Sequence, residues 1–220
     1  MSALSQEIRF CRARDGVRVA YSTMGGGRPL VKAAHFLTHL EHDLRTPVWR
    51  PWLEELSRDR TLVRYDARGC GLSEREVSEV SLDKWVADLE AVVDAASLDQ
   101  FALFGGGQGA MTSIAYAVRH PKRVTRLVVY SGYARGLMKR NPTPEQVKHA
   151  RLVTDLIEID VSDLARRVAC PTLVGRRSRN SPPPTPIRSW FEWETARCSS
   201  FLRICSTPST PTRTAKAASA

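Results

Sequence analysis

Residues 101–109 read FALFGGGQG, a short apolar run that leads directly into three consecutive glycines. The run that ends at Phe104 has the length and composition of a buried strand. Glycines favour a tight turn, and residues 110–119 favour a helix that ends before Pro121, because proline cannot continue a helix. The segment therefore predicts a strand, a sharp turn and a helix in immediate succession.

The turn has the frame Gly105-x-Gly107-x-Gly109, which matches the pattern G-x-S-x-G except at its centre. In that pattern, called a nucleophile elbow, a strained turn between a strand and a helix projects a serine hydroxyl above the end of a sheet. Gly107 occupies the serine position and has no side chain. The sequence therefore predicts an elbow without its nucleophile, with Gly107 as the catalytic position and Gly105 and Gly109 as the flanking elbow residues.

Strand and helix patterns alternate along the chain as far as residue 174. Besides the elbow segment, strands are predicted at residues 8–12, 17–22, 30–34, 61–65, 126–130 and 170–174. Helices are predicted around Trp52, at 81–97 with Ser81 as its cap, at 143–157 and at 163–168. This alternation predicts the α/β fold class, with a mostly parallel twisted sheet and helices on both faces.

The pattern stops abruptly after Val174. Residues 175–220 are rich in Ser, Thr, Pro and Arg, and their eight Lys or Arg against two Glu supply most of the net charge of +10. Such a composition buries too little apolar surface to order a chain, so we expect a disordered basic tail. The predicted organisation is one domain over residues 1–174, followed by this low-complexity segment.

Composition narrows the possible functions. With 42% hydrophobic residues, the 220-residue chain can form a sizeable core, and no apolar run approaches the length of a membrane span. The polar N-terminus lacks the apolar region of a signal peptide, so we expect a cytoplasmic protein without a membrane partner. The five cysteines are scattered without C-x-x-C spacing, which favours free thiols over a disulfide framework or a zinc site.

Two other features could form a binding site. The segment His39-Leu-Glu41-His42-Asp43 concentrates potential metal ligands, and we interpret it as a polar loop rather than a metal site. The basic tail could bind nucleic acid, but a solvated low-complexity segment is the simpler interpretation. We therefore expect no resident metal, and we do not favour nucleic-acid binding as the function.

Two side chains could in principle replace the missing serine. Ser113 lies about a turn and a half beyond Gly107 on the predicted helix, so its hydroxyl is expected to point elsewhere. Cys70 lies in a glycine-rich loop and is interpreted as a structural or incidental thiol rather than a nucleophile.

Taken in order, these motifs resemble the α/β-hydrolase family over residues 7–174. Besides the elbow, residues 65–73 (YDARGCGLS) resemble the family's D-x-R-G-x-G-x-S loop, in which the Asp–Arg pair can tie the turn together. Residues 115–124 resemble the helix and return after the elbow, and residues 170–174 resemble the strand before the catalytic acid. Residues 30–50 and 63–73 also resemble hydrolase modules that bacteria fuse to helix-turn-helix regulators or nucleotide cyclases.

The resemblance implies an esterase-like ancestry, with small ester or acyl compounds as ligands and no cofactor. It also implies that a catalytic acid and then a histidine follow the elbow. The sequence has no Asp after Asp163 and no His after His149, so neither stands where the family would have it. Oxyanion donors could remain: the backbone N–H of Gln108 and one from His35 or Phe36.

The predicted function is therefore that of a degenerate, catalytically inactive hydrolase. The alternative is a non-catalytic module that senses a ligand or binds a partner through the remnant pocket. The resemblance makes residues 135–168 a shortened lid region. The abrupt change after Val174 suggests a truncated or out-of-frame C-terminus, which would leave the last strand as an exposed sheet edge able to self-associate.

Overall fold

The computed structural model describes residues 5–35, 37–132, 143, 161–170 and 172–175. The strands are β1 Glu7–Arg12, β2 Arg18–Gly25, β3 Arg28–Lys32, β4 Arg60–Tyr65, β5 Phe101–Gly106, β6 Val124–Tyr130 and β7 Thr172–Gly175. The helices are α1 Leu40–Asp43, α2 Arg50–Ser57, α3 Leu82–Ala95, α4 Gly109–Arg119 and α5 Ser162–Arg166. The predicted elements in these ranges are confirmed, with ends shifted by a few residues. Apart from Thr143, the predicted helix at 143–157 lies outside the described residues, as do most of the lid region and the tail.

The described strands form one sheet in the order β1-β2-β4-β3-β5-β6-β7. Strands β1, β2 and β4 pair antiparallel, and the pairs from β4 to β7 are parallel. Strand β3 lies between β4 and β5. The chain therefore passes from β3 to β4 on one side of β3 and later adds β5 on the other side. Loops that follow the carboxyl ends of β3 and β5 therefore meet in a crevice where α/β sheets bind ligands.

Helices cover both faces of the sheet, which confirms the predicted α/β architecture. Helices α3, α4 and α5 pack on one face, where Phe101, Met111 and Tyr116 are fully buried. Helix α2 packs on the opposite face, where Leu53 and Phe104 are buried together. No helix in the described part of the chain is both long enough and apolar enough to cross a membrane.

Helix α3 begins as the sequence predicts. The Ser81 Oγ accepts the N–H of Lys84 at 3.4 Å, which satisfies one of the free donors at the first turn. Its apolar residues recur at helical spacing, and Trp85 and Leu89 are buried against the sheet.

The loop after β4 is held by contacts that differ from the prediction. Asp66 and Arg68 do not pair with each other. The Oδ2 of Asp66 instead accepts the N–H of Leu72 at 2.8 Å, while Arg68 donates twice to Asp88 of α3, at 2.8 and 2.6 Å. Arg68 also donates to Asp15 at 2.9 Å, so one buried guanidinium ties this loop to α3 and to the turn between β1 and β2.

Candidate functional site

The backbone of a nucleophile elbow is present between β5 and α4. Gly107 stands at its apex with a φ of +54°, in the left-handed region that side chains rarely adopt. Its N–H donates to the carbonyl of Tyr130 at 3.0 Å, and its own carbonyl accepts the N–H of Ala110 at 3.2 Å. Both sides of the turn are therefore fixed by hydrogen bonds in the strained form that the motif requires.

The two flanking glycines are required by close approach. A Cβ on Gly105 would lie 2.6 Å from the Oγ of Ser113, and a Cβ on Gly109 would lie 2.8 Å from the carbonyl oxygen of Ala34. An added Cβ on Gly107 would have none of the described residues within 4 Å. The elbow thus keeps its steric requirements at both flanks, while a side chain at the apex would project into open space.

Neither alternative nucleophile is placed for attack. Ser113 is fully buried beneath the turn, close to Gly105, as the sequence predicts for a residue further along the helix. Cys70 is partly buried, and this burial raises the pKa of its thiol above its ordinary value. A raised pKa keeps the thiol protonated at neutral pH and therefore poorly nucleophilic.

The predicted oxyanion donors lie on the two segments that meet at the crevice. The N–H of Ala33 donates to the carbonyl of Phe104 at 2.9 Å, which places the segment after β3 beside β5. Within the described residues, no acceptor is found for the backbone N–H of His35 or of Gln108. Phe36 lies outside the described residues, so its part in the oxyanion hole stays a prediction.

Gln108 has a further feature that the sequence did not indicate. It is the N-cap residue of α4, and its side chain makes no capping bond there. Its Oε1 atom is buried and has no hydrogen-bond donor among the described residues. A buried acceptor of this kind is costly unless a water or a ligand supplies a donor. Gln108 therefore has a side-chain acceptor and a backbone donor that no described residue satisfies.

A buried lysine beside this crevice was missed by the sequence analysis, which treated residues 30–34 as an apolar strand. Lys32 is only 4% exposed. Its Nζ lies 3.0 Å from the Nδ1 of His35 and 4.9 Å from the centre of the Trp49 ring. Burial lowers the pKa of Lys32 to about 8, although the nearby Asp43 opposes the shift. A lone lysine at the end of an apolar strand was the available signal.

Strand β4 places a second buried cation next to Lys32. Arg64 is paired with Lys32 in the parallel register, so both side chains lie on the face covered by α2. The Nη1 of Arg64 lies 3.1 Å from the Oδ2 of Asp43, and its Nη2 donates to Gln6 at 2.9 Å and to the Leu40 carbonyl. Asp43 is itself buried, which raises its pKa despite the two neighbouring cations.

The segment from His39 to Asp43 forms helix α1 rather than the predicted polar loop. The Nδ1 of His39 accepts the N–H groups of Glu41 and His42 at 3.3 and 3.4 Å, so this imidazole caps the helical turn. Asp43 forms an ion pair with Arg64. Within the described ranges, no group of three His, Cys, Asp or Glu side chains is arranged to hold a metal ion. The polar side chains of this segment thus cap a helical turn and form an ion pair.

Comparison with known proteins agrees with this geometry. Residues 41–172 match the family model described as the alpha/beta hydrolase fold. The chain belongs to the α/β-hydrolase family. The strand–turn–helix at residues 101–119 lies within the matched range, at the place where the family's nucleophile elbow is expected.

Two similar curated proteins come from Pseudomonas. The chain is 32% identical over 135 residues to a 2-hydroxy-6-oxo-2,4-heptadienoate hydrolase of Pseudomonas putida, a match that covers 59% of this chain and 46% of that protein. It is 38% identical over 82 residues to a 2-hydroxymuconate semialdehyde hydrolase of a Pseudomonas species, covering 37% of this chain and 29% of that protein. The chain thus spans less than half the length of these relatives.

Solved structures share the fold. A hydrolase from Pseudomonas aeruginosa superposes with a TM-score of 0.60 at 21% identity, covering 76% of this chain and 79% of that one. An enol-lactonase from Burkholderia xenovorans superposes with a TM-score of 0.59 at 20% identity, covering 76% and 80%. At these identities the likeness extends to the α/β-hydrolase fold alone.

Proposed function

We propose that this chain is a catalytically inactive α/β-hydrolase of esterase-like ancestry, which binds small ester or acyl compounds beside the elbow without cleaving them. The observation that carries the proposal is Gly107: the apex has the backbone of an elbow and room for a side chain, but no side chain. Serine hydrolysis needs a hydroxyl within reach of a general base that a third group orients.

Typical rate accelerations explain why we expect no catalysis. A hydrolase without its triad keeps at most about 10³–10⁴-fold acceleration over water, which comes from the oxyanion hole and from binding. Enzymes typically reach about 10⁶–10¹⁷-fold. Removing the attacking group therefore leaves a site that can polarise and hold a carbonyl oxygen but cannot turn it over at a useful rate.

Ligand binding is supported by the groups that remain. The N–H groups of Gln108 and His35 have no acceptor among the described residues. The partly buried rings of Trp49, Trp52 and Tyr130 supply apolar surface on the face of the sheet that α2 covers. The curated relatives are named for a 6-oxo dienoate and a semialdehyde, which are small carbonyl compounds. A ligand with a carbonyl oxygen and an apolar body fits this combination of donors and rings.

The proposal includes a role as a ligand-sensing module. A protein that holds a ligand without consuming it reports the ligand's concentration through its own stability. We therefore expect small esters to raise the melting temperature of the folded protein. A well-folded protein whose melting temperature no ester changes would count against ligand binding while leaving the loss of catalysis intact.

The catalytic part is tested with p-nitrophenyl butyrate and a fluorophosphonate probe. The unmodified protein should give neither turnover nor labelling, and Gly107→Ser should also stay unlabelled, because no histidine follows His149 to activate the hydroxyl. Turnover that survives purification and disappears in Gln108→Pro, which removes an oxyanion donor, would overturn the proposal.

A further inference from the structure

His35 and Lys32 form a hydrogen-bonded pair at the end of β3. The Nζ of Lys32 lies 3.0 Å from the Nδ1 of His35. A charged ammonium group has three donors and no acceptor, so the Nδ1 atom must accept this bond. A neutral imidazole that accepts at Nδ1 carries its proton on Nε2 and is a hydrogen-bond donor there.

The surroundings keep this imidazole neutral. Lys32 and Arg64 place two cations near the ring, and the two carboxylates of the cluster, Asp43 and Asp66, act on these cations. Burial, and then the charges of Lys32 and Arg64, lowers the pKa of His35 far below its ordinary value. The ring therefore stays uncharged through the neutral pH range, and its Nε2 proton stays in place.

Packing holds the ring in one orientation. The Trp49 ring lies against His35 with centroids 4.1 Å apart and planes tilted by 50°. Lys32 is buried behind the imidazole, whereas His35 itself is partly exposed. The ammonium group thus occupies the Nδ1 side of the ring, and the partial exposure of His35 leaves the residue able to contact solvent or a ligand.

The pair lies beside the elbow. Lys32 is in register with Phe104, three residues before Gly107. The carbonyl oxygen of Ala34, the residue before His35, would be 2.8 Å from a Cβ on Gly109. The segment that carries His35 therefore passes next to the start of α4, where the backbone N–H of Gln108 is found.

We propose that His35 is a ligand-binding residue whose Nε2–H donates to the carbonyl oxygen of an ester or acyl ligand, and that Lys32 is a positioning residue that fixes this tautomer. The ligand part rests on the proposed function, whereas the tautomer does not. The imidazole would add a side-chain donor to the backbone donors that the elbow motif implies.

The tautomer is tested by long-range ¹H–¹⁵N NMR of histidine-labelled protein, with His35 assigned by its loss in His35→Gln. We expect a neutral, Nε2-protonated ring from pH 5 to pH 7 in the unmodified protein. In Lys32→Met the ring should become a tautomer mixture and titrate closer to the ordinary value of about 6.5. Lys122→Met, which removes a lysine from an exposed turn, is the matched control and should change neither property. A proton on Nδ1, or a Lys32→Met spectrum identical to the unmodified one, overturns the positioning role.

The ligand role is tested by titrating the protein with methyl benzoate and, as a matched probe without a carbonyl, with ethylbenzene. Methyl benzoate should shift the His35 Nε2 resonance, and ethylbenzene should not. His35→Phe keeps a ring against Trp49 but loses the donor, so its affinity for methyl benzoate should fall roughly three- to tenfold, the usual worth of one hydrogen bond. His35→Gln, which restores a donor, should recover most of it.

The outcomes separate the two proposals. If the unmodified protein and His35→Phe bind methyl benzoate equally well, the role of His35 is overturned and the proposed function stands. If the unmodified protein binds neither methyl benzoate nor p-nitrophenyl butyrate, the ligand-binding part of the proposed function is overturned, and the ligand role of His35 with it. Equal shifts of His35 Nε2 by methyl benzoate and ethylbenzene would also overturn the ligand role, because no carbonyl would then be recognised.

Discussion

The Oγ of Ser113 lies 2.6 Å from the position that a Cβ on Gly105 would occupy. The carbonyl oxygen of Gly109 would be 2.7 Å from the same point, and the Cα of Ala110 2.8 Å. One methyl group at this position would therefore meet the backbone of α4 as well as a buried side chain. The packing of β5 against α4 depends on a glycine here, even though the residue no longer flanks a nucleophile.

Replacement of Gly105 should be costly for this reason. We expect Gly105→Ala to lower the free energy of unfolding by about 1–3 kcal/mol, the usual cost of overpacking a core. Gly106→Ala is the matched control, because its Cβ would approach only the edge of the Phe104 ring, at 3.4 Å. Urea unfolding monitored by circular dichroism measures both. Equal losses in the two variants would show that close approach at Gly105 is not the cause.

Gly107 should tolerate a side chain with a smaller penalty. In the part of the chain that the structure describes, Gly107→Ala meets no atom within 4 Å, so its expected cost is the backbone strain of a side chain at positive φ, about 1–2 kcal/mol. Gly109→Ala should be clearly worse, because its Cβ would press on the Ala34 carbonyl at 2.8 Å. The same urea measurement ranks the two variants. A Gly107→Ala protein that fails to fold would contradict the conclusion that position 107 has room for a side chain.

The buried Arg68–Asp88 pair should be sensitive to the loss of one partner. Both side chains are almost fully buried, so Asp88→Asn leaves the buried guanidinium with only the more exposed Asp15 as a carboxylate partner and should cost about 3–5 kcal/mol. The exposed pair of Arg9 with Glu7 is the control, and Glu7→Gln should change stability by less than about 1 kcal/mol. A cost for Asp88→Asn as small as that of Glu7→Gln would mean that the partner Asp15 alone satisfies Arg68.

Stability should depend on pH through Lys32. Its folded pKa is about 8, below the unfolded value of about 10.4, so the unfolded chain binds more protons between these values. The free energy of unfolding should therefore rise with pH across this window, by up to about 3 kcal/mol. The charged groups that act on the ammonium group are Asp43 and Asp66, which oppose the lowering of its pKa, and Arg64, which adds to it.

Comparison with two variants isolates this effect. Lys32→Met should lose the rise between pH 8 and pH 10, while Lys122→Met should keep it. Urea midpoints at half-unit pH steps provide the measurement. A Lys32→Met protein that still gains stability over this window would show that another group is responsible.

Local patterns were sufficient to predict most of the fold. The periodicity of α3, its Ser81 cap and the strand–turn–helix order around Gly107 each depend on neighbouring residues, and the structure contains all of them. Helix α1 was missed because it has only four residues and its polar side chains mask any helical period. The motif also predicted Gly105 and Gly109 as the flanking elbow residues, and the structure adds the close approaches that require glycine at both positions.

The charged contacts could not be predicted in the same way, because their partners are distant in sequence. Arg68 pairs with Asp88 and Asp15 rather than with the adjacent Asp66, since the fold brings α3 and the first hairpin to this loop. Lys32 and His35 are only three residues apart, but their contact matters because Lys32 is buried. The position of Lys32 in an apolar strand is a local signal, but its burial depends on helix α2 and the loop after β3, which pack over the strand end and are not predicted by that pattern.

The space that the described residues leave at Gly107 could be used to attach new chemistry. A cysteine introduced there would stand on a preformed, hydrogen-bonded turn. In a variant whose five native cysteines are replaced, it would provide a single anchoring point for a synthetic catalyst or a fluorescent reporter. The close packing at the two neighbouring glycines of the motif would keep that point on a rigid support.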